Sequence, residues 1–384
     1  MDFGPRTTAT LLQSALSRAD DLRRRRGDML DMLGLGPIRT PSTVALSTPG
    51  LVLRDFGGRA DAPAFVVVAA PIKRAYIWDL APERSVVRRL SAHGFHPFLV
   101  EWTVSPEQAT LGLADYADRL LLAALDAVAG RTGQSRVVLA GHSLGGTLAA
   151  LFAALHPARL RALILLEAPT AFSGGAGFPT FTRRVGATPP GLLGDLFDLV
   201  PGTALTLASA SAAPWSFIGA RWLDLLQCTG DLSAIVNHLR VERWTLDEFP
   251  LPASFVAEVV NGLYREDRFM RGTLSIGGRI ASAASLEMPL LNVIRPESLI
   301  IPPSTILPLH EAAPSRHKTV LRYEGEHGVS LRHVGALVGE RAHRELWPEI
   351  LNWAMHLASQ EPITGRRRRS PRARAAGGRG VGAV

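Results

Sequence analysis

The sequence predicts an α/β protein: a mostly parallel, doubly wound sheet with a helical segment inserted near its end. Three observations carry this reading. Strand-like apolar runs alternate with stretches of helical spacing along most of the 384 residues, the pattern of a parallel sheet covered on both faces. One of those strands runs through Gly141-His142-Ser143-Leu144-Gly145 directly into an Ala- and Leu-rich helix. The third is an aromatic-rich interval, residues 170–287, that separates two consecutive strands and is too long and apolar for a structureless loop.

The elements follow in order. Residues 1–40 form an N-terminal amphipathic helix and linker. Leu12, Ala15, Leu16, Leu22, Met29, Leu30 and Leu33 recur at helical spacing over residues 8–33, before Gly34 and Gly36-Pro37 stop the helix. The α/β core takes residues 41–169 and 288–360. Its strands are Phe65–Ala70, Pro97–Val100, Val137–Ala140, Ala162–Leu166, Pro289–Ile294 and Thr319–Tyr323; its helices are Glu83–His93, Leu113–Ala129, Leu144–Leu155 and His343–Ala358. Residues 170–287 are read as a cap or lid, whose aromatics, such as Phe178, Trp215, Phe217, Trp222 and Trp244, line an acyl pocket or pack the lid itself. Residues 361–384 are an Arg-rich tail too polar to fold alone.

The formal net charge of +8 resembles a nucleic-acid signal until it is located. Residues 366–384 hold seven Arg and no acid, which leaves 35 basic against 34 acidic residues in the body. The tail is either solvated or a tether to an anionic surface. A single cysteine, Cys228, excludes an intramolecular disulfide framework and a cysteine-based zinc site. Neither an export signal nor a run of about 18 apolar residues is found, so no membrane span is expected and the expected location is cytoplasmic.

The chemistry centres on Ser143. A G-x-S-x-G turn between strand and helix lifts the serine above the sheet edge, and its glycines give room that side chains would fill. The Leu144 amide, at the positive end of the following helix, is the first oxyanion donor. The second is expected from the loop after Phe65–Ala70. There Ile72 is the candidate, since Pro71 has no amide, and Lys73 and Arg74 beside it are either surface charges or a hold on an anionic substrate group. Serine needs a base, expected after the last strand. The Gly-flanked His327 is assigned that role, with His310, His317 and His333 read as surface histidines and His142 as packing in the elbow. Two strand ends offer the acid that orients the base: Glu167 after Ala162–Leu166, and Glu297 after Pro289–Ile294.

Several stretches resemble polyhydroxyalkanoate synthases: the run from Pro71 to Ser85 (PIKRAYIWDLAPERS), Phe98–Trp102, Pro289–Val293, Ile301-Pro302-Pro303, Leu346-Trp347-Pro348, and Trp244, Asp247 and Glu248 in the lid. The resemblance spans about Thr40 to Ala358. It implies an α/β-hydrolase fold with a cap domain, and it adds polyester granules as an expected association. Two departures matter. Those synthases carry Cys where this chain has Ser143, and their triad Asp falls where this chain has Ser298, which favours Glu167 as the acid. A thiolate suits repeated acyl exchange because it both attacks and leaves readily, whereas a serine ester is usually released by water.

The leading expectation is therefore a serine hydrolase of an ester or thioester, possessing no cofactor and taking small or oligomeric acyl substrates, acyl-CoA included. An acyltransferase or polyester synthase that uses serine is the second. A non-catalytic granule- or nucleic-acid-associated protein is the third.

Overall fold

A computed structural model describes residues 5–173 and 196–360. The Arg-rich tail and the expected lid aromatic Phe178 lie outside the described residues. The sheet has eight strands: β1 (Thr43–Thr48), β2 (Leu51–Asp55), β3 (Ala64–Val68), β4 (His96–Trp102), β5 (Val137–His142), β6 (Leu160–Leu166), β7 (Leu290–Ile294) and β8 (Lys318–Arg322). They stand in the order β1-β2-β4-β3-β5-β6-β7-β8. β1 and β2 are an antiparallel edge hairpin, β2 meets β4 antiparallel, and β4 through β8 are parallel.

Alternation along the strands builds two cores. Val66, Val68, Leu139 and Leu163 face one way, onto α3 (Leu120–Thr132) and α4 (Leu144–Leu155), with α2 (Val86–Ala92) on the opposite side. Phe65, Val67, Val138 and Ile164 face that other side, where Leu90 of α2 and Trp347 pack. Each fully buried Val, Leu or Phe contributes about 1.5–3 kcal/mol relative to exposure, so the sheet is the rigid part of the molecule. The helical stretches expected at Leu113–Ala129 and His343–Ala358 both open as a π-turn, Asp115–Arg119 and Ala342–Leu346, before becoming regular.

The described part of the interval between β6 and β7 is mostly helical, with two short two-stranded ladders, Leu199–Val200 with Leu251–Pro252 and Leu274–Ile276 with Arg279–Ala281. It contains α5 (Gly202–Ala212), α6 (Ala220–Gln227) and α7 (Leu232–Thr245). The Asp231 side chain caps α7 by accepting from the Ala234 amide at 3.0 Å. The lid aromatics divide. Phe217 and Trp244 face the pocket over Ser143, while Trp215 and Trp222 lie on the outer surface, 58% and 68% exposed.

The N-terminal helix α1 (Pro5–Met32) differs from its apolar reading. Leu22, Met29 and Leu33 are exposed, and the helix docks on the segment between β6 and β7 largely through polar groups. Arg243 makes a two-pronged bond to Asp31, Asp20 accepts from the Thr203 amide, and Arg23 donates to the Glu248 carbonyl at 2.9 Å. Among the described residues, no helix is long and apolar enough to cross a membrane.

Candidate active site

The parallel strands end along one edge, and the site is made there. β5 delivers Ser143 in a conformation few non-glycine residues adopt, φ 54° and ψ −133°. The turn survives because its neighbours are bare. A Cβ on Gly145 would sit 2.4 Å from the Val68 carbonyl oxygen, and one on Gly146 would sit 2.4 Å from the Ala168 Cβ. The backbone therefore closes on β3 and β6 while the serine side chain faces a pocket. Ile72, Leu144, His142, Trp244, Ile301, Leu331 and His333 line that pocket together with Ser143. Both expected oxyanion residues, Ile72 and Leu144, are thus in its wall.

Glu167 is the first residue past β6, fully buried and also at positive φ (40°). Its amide donates to the Val293 carbonyl at 2.9 Å, which fixes the carboxylate at the strand ends. Oε2 lies 3.6 Å from His333 Nδ1 and 3.5 Å from Arg295 Nε, and it accepts from Ser298 Oγ at 3.3 Å. The hydroxyl at position 298 therefore supports a carboxylate supplied from the neighbouring strand.

His333 was expected at the surface and is buried instead, on the short turn Arg332–Val334. Neither of its ring nitrogens has a hydrogen-bond partner among the described residues. His142 Nε2 donates to the His333 carbonyl at 2.8 Å, and the two rings are 4.4 Å apart. Burial, and then the neighbouring His333, hold His142 well below the usual imidazole range, so it is neutral and fit to donate.

The other two expected residues stand elsewhere. His327 is exposed and lines a separate polar depression with Arg84, Cys228 and Arg341. The Gly-flanked turn that suggested it is six residues short of the histidine that reaches the Ser143 pocket. Glu297 is exposed in a shallow hollow beside Trp215 and Arg332. The apolar surroundings of His333, with Leu331, Val334, Ala336, Leu337 and Val338 all buried, are the sequence signal that could have found it.

Lys73 is not a loose surface charge. It pairs with Glu248 and donates to the Thr245 carbonyl at 2.7 Å. Burial lowers the Lys73 pKa against the opposing pull of Glu248, and burial raises that of Glu248 against Lys73. The pair ties the loop after β3 to the end of α7 and the residues just past it. Among the described residues, two trios bring ligand atoms within 4.8 Å of one another: His142, Glu167 and His333, and Asp224, Cys228 and His238. In the first, His142 Nε2 is engaged by the His333 carbonyl; in the second, Asp224 is saturated by two backbone amides and His238.

A sheet of this order with a strained Gly-flanked serine turn after β5 defines a protein class. The model of the family described as alpha/beta hydrolase fold matches residues 101–333, and the chain belongs to that family. A solved structure from Sulfolobus solfataricus shares the fold at 16% identity and a TM-score of 0.52, over 83% of this chain and 93% of that one. Within the family the chain is polyhydroxyalkanoate synthase-like, an enzyme of the hydrolase or acyltransferase type. It is 29% identical over 320 residues to the poly(3-hydroxyalkanoate) polymerase subunit PhaC of Haloferax mediterranei, covering 82% of this chain and 64% of that protein. Against the corresponding subunit of Allochromatium vinosum it is 25% identical over 350 residues, covering 89% and 96%.

Proposed function

We propose that this protein cleaves an ester or thioester through an acyl-enzyme on Ser143, with His333 as the base and Glu167 as the acid that orients it. The observation that carries this reading is the Glu167 carboxylate 3.6 Å from His333 Nδ1 in the pocket that Ser143 enters. Catalytic contacts of this length commonly tighten when substrate binds. His333 replaces His327 in the role, and Glu167 takes it in preference to Glu297.

In this scheme His333 Nε2 accepts the Ser143 hydroxyl proton as Oγ bonds to the acyl carbon. The Leu144 and Ile72 amides receive the negative oxygen of the tetrahedral adduct. Collapse expels the alkoxide or thiolate, which takes the proton from His333. Water, deprotonated by the same imidazole, then releases the acid and frees Ser143. Glu167 holds the imidazole ring and offsets its positive charge, while Arg295 and Ser298 hold Glu167.

The similarity to polymerase subunits favours a second reading, in which a hydroxyl group rather than water accepts the acyl group from Ser143. Incubation with p-nitrophenyl esters and with 3-hydroxyacyl-CoA, following free acid, polymer and covalent adduct together, separates the two. Free acid with an adduct on Ser143 supports hydrolysis. Polymer supports transfer, and neither product with no adduct would refute both.

A further inference from the structure

The turn that leads to His333 is anchored at its start by the core and at its end by the cap. Glu326 accepts from the Arg341 and Ala342 amides at 2.8 and 3.0 Å, which fixes the start. Beyond it the chain makes two left-handed steps, Gly328 at φ 78° and Ser330 at φ 51°. Both are held from the cap. Asp224, fully buried on α6, accepts from the Gly328 amide at 3.1 Å and from the Ser330 amide at 2.8 Å. His238 Nδ1 braces the same carboxylate at 2.7 Å. Asn237 on α7 donates to the Gly328 carbonyl at 2.6 Å, and Glu242, itself paired with Arg221, takes the Ser330 hydroxyl. Gly328 lies so close to α7 that a Cβ there would meet Ala234 at 2.9 Å. Three residues beyond Ser330 stands His333.

We propose that Asp224 is a positioning residue for the base. From the cap it fixes the strained Gly328–Ser330 turn, and the turn sets the register of His333 against Ser143 and Glu167. Cap and base then move as one unit, so that displacing the cap takes the imidazole out of line. This rests on the reading of His333 as the base, and the test keeps the two apart.

A misplacement of about 1 Å near the reacting groups costs on the order of 100-fold in rate. Asp224→Ala and Asp224→Asn are therefore expected to lower kcat on a p-nitrophenyl ester by about that factor, with KM within about twofold of the parent. The acidic limb of kcat against pH should also move to lower pH, because an imidazole drawn away from the Glu167 carboxylate binds its proton less tightly. Asp231→Ala is the stability control, since it removes the α7 cap without touching the turn. Its melting temperature should fall while its limb stays in place. Loss of kcat in the Asp224 variants that follows the unfolded fraction, with an unmoved limb, would overturn the proposal. If Asp224→Ala does not fold, Asn237→Ala measured in the same way decides. His333→Ala run alongside separates the two readings: full activity there would overturn the base assignment, whereas an inactive His333→Ala beside unaffected Asp224 variants would overturn only the role of Asp224.

Discussion

Glu167→Gln removes one charge and almost no volume. It therefore isolates what the carboxylate does for the imidazolium that forms at His333. A pair of unit charges at 3.6 Å interacts by about 4.6 kcal/mol at an effective dielectric of about 20. Lost from the transition state, that is about 10³-fold in kcat. The change also leaves Arg295 buried without its carboxylate, at about 3–5 kcal/mol of stability. The assay must therefore separate rate from folding. Turnover of a p-nitrophenyl ester at 15–20 °C (about 290 K) would be divided by the folded fraction from circular dichroism, with Glu297→Gln as the paired control. Glu297 is exposed, and its variant is expected within about twofold of the parent. If Glu167→Gln kept its kcat within tenfold while Glu297→Gln lost activity, the acid would belong to β7, and the geometry around Arg295 and Ser298 would be structural only.

Other outcomes follow from the same site. Ser143→Ala should abolish turnover and fluorophosphonate labelling with an unchanged melting temperature; labelling at any other residue would refute the nucleophile. His333→Ala should lose about as much as Ser143→Ala, since base and nucleophile act as a unit, whereas His327→Ala should stay near wild type. Gly145→Ala drives a methyl group into the Val68 carbonyl, and it should lower both stability and rate by opening the turn. Stability should also fall with acid in a defined window. Burial pushes His343 down to about 3 and holds His142 well below the usual range. Both are thus neutral when folded and free to bind protons when unfolded. Their contribution is full above pH ~6.5 and is lost as pH falls below it, at up to about 1.4 kcal/mol per pH unit for each. Denaturant midpoints between pH 7 and 5 (in steps of about half a unit) would check this, and a flat profile would refute the buried-neutral assignment.

The central parallel strands could be read from sequence because they are unbroken apolar runs buried on both faces, as Phe65–Val68 and Ala162–Leu166 are. The edge hairpin Thr43–Asp55 was missed because its outer strand is half exposed and mixes Thr and Ser with Val and Leu. The elbow was readable for a steric reason, since its glycines are demanded by backbone contacts shorter than a Cβ allows. His327 drew the base assignment for a related reason. Gly325 and Gly328 around His327 satisfy positive φ angles in a turn that Asp224 holds, and that demand says nothing about chemistry. His333 carries no local punctuation of its own. Its significance depends on Glu167, 166 positions away, and on a carbonyl bond from His142, both of which exist only once the sheet has formed.

The docking of α1 has a consequence for how the chain reaches this state. Its bond from Arg23 to the Glu248 carbonyl spans 225 positions, and that from Arg243 to Asp31 spans 212. When α1 leaves the ribosome it therefore has no docking site until the residues 212 to 225 positions later have followed. Loop closure over such a distance is slow relative to the local β–α–β contacts of the core. Refolding should accordingly restore sheet signal before it restores ester turnover. The lag between them would measure the time α1 takes to find the cap.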